Sequence, residues 1–99
     1  MYFLPANKKG CIAVAATDLD NTAADWNIVT PNTDISAPGE DIKVAAFHNK
    51  YETWRGTSFS TPCVASIGAI LLSVNPNMSV DALKTRLKET ALPVKYQNF

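Results

Sequence analysis

The chain is poor in several of the residues from which binding and metal sites are commonly built. It has one histidine, two cysteines and four glycines in 99 residues, and its charges cancel, nine Lys and Arg against nine Asp and Glu. Without a basic excess or a basic stripe there is no phosphate-neutralising surface, so a nucleic-acid partner is excluded from the reading. Cys11 and Cys63 form no Cys-x-x-Cys pair, and His48 is distant in sequence from both. No metal-ligand spacing results, and neither a metal nor a cofactor is expected. Repeats and low-complexity linkers are missing too. Met1-Tyr2-Phe3-Leu4-Pro5 lacks the basic stretch and long apolar core of a signal peptide, and the most apolar run, Val64 to Val74, is short for a bilayer. No membrane association is expected, and the segment carries no recognisable address.

What remains is an ordinary globular composition, with 46% apolar and 18% charged residues. A chain of this length makes at most one small domain. Residues 11–17 are almost continuously apolar, as in a strand covered on both faces. Asp18-Leu19-Asp20-Asn21 then supplies turn residues. Weaker strand signals run from Thr33 to Ala37, stopped by Pro38-Gly39, and from Ile42 to Phe47, with His48-Asn49-Lys50 as a polar break. Thr53-Trp54-Arg55 adds a short extended piece. A helix is expected to start around Ser58 to Thr61, with Pro62 tolerated in its first turn, and to stop at Asn75-Pro76-Asn77. From Val64 to Val74 that helix is apolar almost all round, the signature of burial on every face. Ala65, Ser66, Gly68 and Ala69 would let neighbours approach closely. A second helix begins at Ser79 as N-cap, with Asp81 in its first turn, a buried stripe of Val80, Leu83, Leu87 and Ala91, and Pro93 beyond its end. Lys84, Arg86 and Lys88 read as its solvated side. Both cysteines fall in apolar stretches, where a free thiol acts as a small buried hydrophobe; a disulfide and a reactive thiol are the alternatives.

These elements need more cover than they can give one another. A helix buried all round and a two-sided strand require flanking layers, so the chain reads as one piece of a larger α/β core.

The chemistry concentrates in Gly56-Thr57-Ser58-Phe59-Ser60-Thr61-Pro62. A serine hydroxyl becomes a nucleophile when a base removes its proton and donors stabilise the resulting oxyanion. A serine at a helix start sits among free N–H groups and at the positive end of the helix dipole. Gly56 permits a tight turn and leaves space beside it. Thr57, Ser60 and Thr61 are candidate caps. Gly-Thr-Ser before a helix is also compatible with simple N-capping, and the longer string decides between the two readings.

Gly-Thr-Ser-x-Ser-Thr-Pro followed by Val-Ala and a long apolar helix resembles the serine signature of the subtilisin-like proteases, the subtilases. The resemblance continues in order along the chain. Pro5-Ala6 leading into Cys11 to Asp18 looks like the family's strand after its oxyanion-asparagine loop. Ala24-Asp25-Trp26-Asn27 is similar to its Ala-x-Phe-Ser-Asn segment, and Asp34-Ile35-Ser36-Ala37-Pro38-Gly39 to its Asp-Ile-x-Ala-Pro-Gly turn. Leu83 to Ala91 resembles the helix after the serine helix. Two departures fall in the signature: Cys63 where the family often has a non-catalytic His, and Ser66 where it has Gly. Ser66 adds a hydroxymethyl at a close helix contact, tolerable if it bonds back to a carbonyl.

The resemblance implies a three-layer α/β fold with a mostly parallel sheet, of which residues 1–99 form a C-terminal part. It implies Ser58 as the nucleophile of a serine endopeptidase, with the Ser58 backbone N–H as an oxyanion donor, and a peptide or protein as substrate. Secretion or the cell envelope is the location usual in the family. The family's aspartate and histidine motifs precede the serine in chain order and are absent here. They, and the oxyanion asparagine, are expected in a missing N-terminal part of the same domain. His48 reads as an exposed loop residue, and Asp34 and Asp41 lie on the wrong side of that order. The alternative to a protease segment is a catalytically inactive truncated fragment or an interaction module. A weaker third reading makes Cys63 a thiol nucleophile. Substrate specificity and calcium sites are not legible in these residues.

Overall fold

The structure is a computed structural model in which residues 8–26 and 32–95 are described. The expectations placed on residues 1–6 and on Asn27 lie outside them. Four strands precede two helices: β1 (Val14–Thr17), β2 (Ile35–Pro38), β3 (Ile42–Ala46), β4 (Lys50–Trp54), α1 (Thr57–Val74) and α2 (Val80–Thr90).

β1 and β2 pair in parallel, with Val14 opposite Ile35 and Thr17 opposite Pro38. The apolar run begins earlier than the strand because Ala13 is engaged differently. Its N–H donates to the Asp34 carboxylate at 2.8 Å, while its carbonyl accepts from the Asp34 and Ile35 amides. The buried residues of the pair are small: Ala15, Ala16, Thr17 and Ala37, covered on both faces of β1. Small side chains let α1 lie close over the pair, which it contacts along both strands. At the far end of β1, Asp18 accepts the Asp20 and Thr22 amides through one carboxylate oxygen, and Asn21 takes a left-handed conformation. The tail after α2 returns to this corner, with Lys95 bridged to Thr22 and the Asn21 amide group donating to the Pro93 carbonyl.

β3 and β4 form a separate antiparallel hairpin, Ile42 opposite Trp54 and Ala46 opposite Lys50. The expected short extended piece is thus a five-residue strand, and the turn is Phe47-His48-Asn49 rather than His48-Asn49-Lys50. His48 and Asn49 both have positive φ there. Every residue of β4 is exposed.

α1 corrects the all-round burial expected of it. Its buried residues are Ser60, Val64 and Gly68, one stripe at a spacing of four. Ile67, Ile70, Leu72 and Val74 are exposed. Periodicity predicted the residues' character, but the strands within these residues cover only one face. At 18 residues the helix is also long and apolar enough to cross a membrane by length and composition alone, which the shorter run Val64 to Val74 had argued against. Cys63, expected to be buried, is exposed on the same helix with its thiol 3.5 Å from the Phe59 carbonyl; Cys11 is half-buried, and both are free. The Ser66 hydroxyl bonds back to the Pro62 carbonyl at 2.8 Å, and the side chain faces outward rather than into a helix contact.

α1 stops at Asn75, whose N–H still reaches the Leu71 carbonyl before Pro76 breaks the pattern. α2 starts as its sequence indicates, with Ser79 Oγ accepting the Ala82 amide at 3.1 Å. Leu87 is buried and Leu83 half-buried against a core with Ala37 and Val64, whereas Val80 and Ala91 are exposed. Arg86 and Lys88 are exposed, as expected of a solvated side, whereas Lys84 is half-buried, and both lysines reach Asp34.

Candidate active site

Ser58 is the second residue of α1 and is exposed. Its N–H belongs to the first turn, where no intrahelical acceptor exists. Gly56 is the N-cap, with φ 146° and ψ 154°, a backbone conformation essentially restricted to glycine. No side chain caps the helix, contrary to the role expected of Thr57, Ser60 and Thr61. Two of these hydroxyls are engaged elsewhere: Thr61 donates back to the Thr57 carbonyl, and Ser60 donates to the Ala37 carbonyl at 2.9 Å. Within the first turn the Phe59 N–H donates to the Gly56 carbonyl at 3.1 Å, and no side-chain cap occupies the N–H of Ser58.

The mount is fastened to the end of β2 at two points. Ser60, with 0% exposure, makes the bond to Ala37. The Gly56 N–H donates to the Gly39 carbonyl at 2.8 Å, and the Gly39 N–H in turn donates to Thr17 at 2.9 Å. Gly39 is glycine for want of space: a Cβ there would fall on Ser60 Oγ and lie 2.8 Å from the Ala16 Cβ and 2.9 Å from the Gly56 carbonyl. The Ala37-Pro38-Gly39 turn thus sets the height and direction at which α1 begins. The sequence contained the motif without showing that its carbonyls grip the serine helix.

Asp34 anchors the other end of β2. One carboxylate oxygen accepts the Ala13 N–H and lies 3.5 Å from Lys84 Nζ; the other is 3.1 Å from Lys88 Nζ. Burial pushes the Asp34 carboxyl upward, but the Ala13 N–H and the two ammonium groups outweigh it and hold the carboxyl below its ordinary value. This cluster is structural and joins β1, β2 and α2.

His48 is exposed in the hairpin turn, and the five residues of β4 interpose about 16 Å of extended chain before the helix start. Asp34 is committed to Lys84 and Lys88, and Asp41 occupies a positive-φ turn position before β3. Thus the described residues bring neither His48 nor either aspartate to Ser58. They contain no group of three or more His, Cys, Asp or Glu that could hold a metal ion. A cleft of about 520 Å³ opens between β2 and α2, lined by Ser36, Ile67, Leu87 and Leu92 among others, and Ser58 is not part of it.

The profile of the Subtilase family matches residues 1–99, and the chain belongs to that family. It is 34% identical over 87 residues to the thermostable alkaline protease of Halalkalibacterium halodurans, covering 88% of this chain and 24% of that protein. It is 30% identical over 90 residues to the halolysin-like extracellular serine protease Nep of Natrialba magadii, covering 91% of this chain and 17% of that one. Among solved structures, a cold-adapted subtilisin-like serine proteinase superposes with a TM-score of 0.81 at 30% identity, over 89% of this chain and 32% of the other. The α/β, subtilisin-like fold expected from the serine motif is therefore the fold present, and the 99 residues correspond to a third or less of each of these proteins.

Proposed function

We propose that this segment supplies the nucleophile of a subtilisin-type serine endopeptidase, and that Ser58 is that nucleophile. The observation that carries the reading is the exposed Ser58 in the first turn of α1, on a mount fastened through Gly56 and Ser60 to the end of β2. In the proposed reaction Ser58 Oγ attacks a peptide carbonyl while a histidine outside these residues takes its proton. The Ser58 N–H donates to the oxyanion as the tetrahedral intermediate forms. The histidine then returns the proton to the departing amine, leaving an acyl-serine. Water, deprotonated by the same histidine, releases the acid and restores the hydroxyl. The histidine, its aspartate partner and the second oxyanion donor come, in this proposal, from an N-terminal part of the same domain. Peptides or proteins are the substrates, and secretion or the cell envelope is the site of action, by analogy with the extracellular relative.

A second reading applies to the 99 residues by themselves: an inactive fragment. The placement of His48 in the hairpin turn favours it, because a serine without a base stays a weak nucleophile. One experiment covers both. The chain is treated with a fluorophosphonate probe alone and then together with a segment bearing the family's aspartate and histidine motifs, and labelled peptides are sequenced. Label on Ser58 only in the mixture, abolished by Ser58→Ala, is the expected result. Label on another residue, or peptide hydrolysis that survives Ser58→Ala, would overturn the assignment.

A further inference from the structure

We propose that Arg55 is a positioning residue for the Gly56–Ser58 turn, its guanidinium joining the three segments that meet just ahead of Ser58. The guanidinium carbon lies over the Trp26 ring, 5.8 Å from its centroid. One of its nitrogens is 3.9 Å from a Glu40 carboxylate oxygen. Trp26 belongs to the connection between β1 and β2, Glu40 to the turn between β2 and β3, and Arg55 to the junction of β4 and α1.

The register of these contacts gives them their effect. Glu40 follows Gly39, and Arg55 precedes Gly56. The Arg55–Glu40 pair and the Gly56-to-Gly39 hydrogen bond are therefore neighbouring links between the same two turns. Gly56 has no side chain and no side-chain cap to hold it at φ 146°, so restraint must come from its neighbours. The Trp26 indole Nε1 is buried and has no hydrogen-bond partner among the described residues. The cation over its ring ties Arg55 to the connection between β1 and β2, a third segment besides the two turns. Each contact alone is weak at this exposure, with the Arg55 side chain 65% and the Glu40 side chain 26% accessible. The extended guanidinium lies near the ring with its carbon and near the carboxylate with one nitrogen, two contacts that a compact ammonium is poorly shaped to make together.

The importance of this clamp for catalysis rests on Ser58 being the nucleophile, whereas its existence does not. Amide hydrogen exchange measured by NMR on the 99-residue chain tests it through Arg55→Ala, Arg55→Lys, Glu40→Gln and the Arg55→Ala/Glu40→Gln pair. Arg55→Ala is expected to speed exchange of the Gly56 amide roughly three- to tenfold while amides in β1 and α2 keep their rates. Arg55→Lys should restore only part of the protection, and Glu40→Gln should add nothing once Arg55 is gone. An unchanged Gly56 rate in Arg55→Ala, a uniform rise across β1 and α2, or full protection in Arg55→Lys would overturn the proposal. Fluorophosphonate labelling in the mixture with the aspartate- and histidine-bearing segment reports on Ser58 separately, so a serine silent there with a responsive Gly56 amide would fault the nucleophile assignment and leave the clamp standing.

Discussion

The Gly56 amide donates to the Gly39 carbonyl at 2.8 Å, joining the turn that launches α1 to the turn that ends β2. Two stretches of sequence seventeen residues apart, 39 and 56, thereby become one support for Ser58. The fully buried Ser60 hydroxyl, bonded to Ala37, makes that support rigid from below.

Gly39 and Gly68 should respond in opposite directions to the same change. A methyl at position 39 meets Ser60 Oγ, Ala16 and the Gly56 carbonyl, two of which are unable to move aside cheaply. Gly39→Ala is expected to cost about 1–3 kcal/mol in urea unfolding. At Gly68 the new methyl would sit 3.5 Å from a Leu83 methyl, an ordinary contact. Gly68→Ala should stabilise by up to about 1 kcal/mol, because alanine is the better helix residue.

Ser60→Ala removes a buried hydrogen bond and leaves the Ala37 carbonyl without it. The expected loss is about 1–2 kcal/mol by the same measurement. Combined with Gly39→Ala the losses should be less than additive, since deleting Oγ vacates the space that the new methyl needs. Full additivity would show that the two positions do not share that space.

Gly56→Ala places a side chain at φ 146°. The strain should lower stability by about 1–3 kcal/mol and shift the start of α1. Proton NMR of the Thr57 to Phe59 amides would register the shift as changed chemical shifts, with β3 and β4 unaffected.

Acid should loosen the joint between β2 and α2. The Asp34 carboxyl is held below its ordinary value in the folded chain, so it stabilises the fold above the unfolded carboxylate range, near pH ~4, and that contribution is lost as pH falls through the lower folded value. Asp34→Asn is expected to cost about 1–2 kcal/mol at pH 7 and to flatten the acid limb of the stability profile. Equal acid sensitivity in the variant would place the titrating group elsewhere.

Ser79→Ala tests the start of α2, which a side chain does cap. Loss of the bond to the Ala82 amide should cost about 1 kcal/mol and leave α1 untouched, read by thermal unfolding.

Much of the layout was legible from residue patterns alone. Asn75-Pro76, Ser79 and the turn at Asp18 to Asn21 lie where local chemistry puts them, because caps, prolines and short polar turns act over a few residues. The serine motif and its collinear companions sufficed to indicate the subtilase family, and an incomplete set of covering layers was implied by the apolar helix. Burial, however, depends on what stands opposite. Only tertiary structure showed that α1 is covered along Ser60, Val64 and Gly68 alone, that Cys63 faces outward, and that Lys84 and Lys88 converge on Asp34. The same is true of the serine mount. Local sequence put Ser58 at a helix start, but the carbonyls of Ala37 and Gly39 that fix that start come from a strand whose approach no short-range pattern encodes.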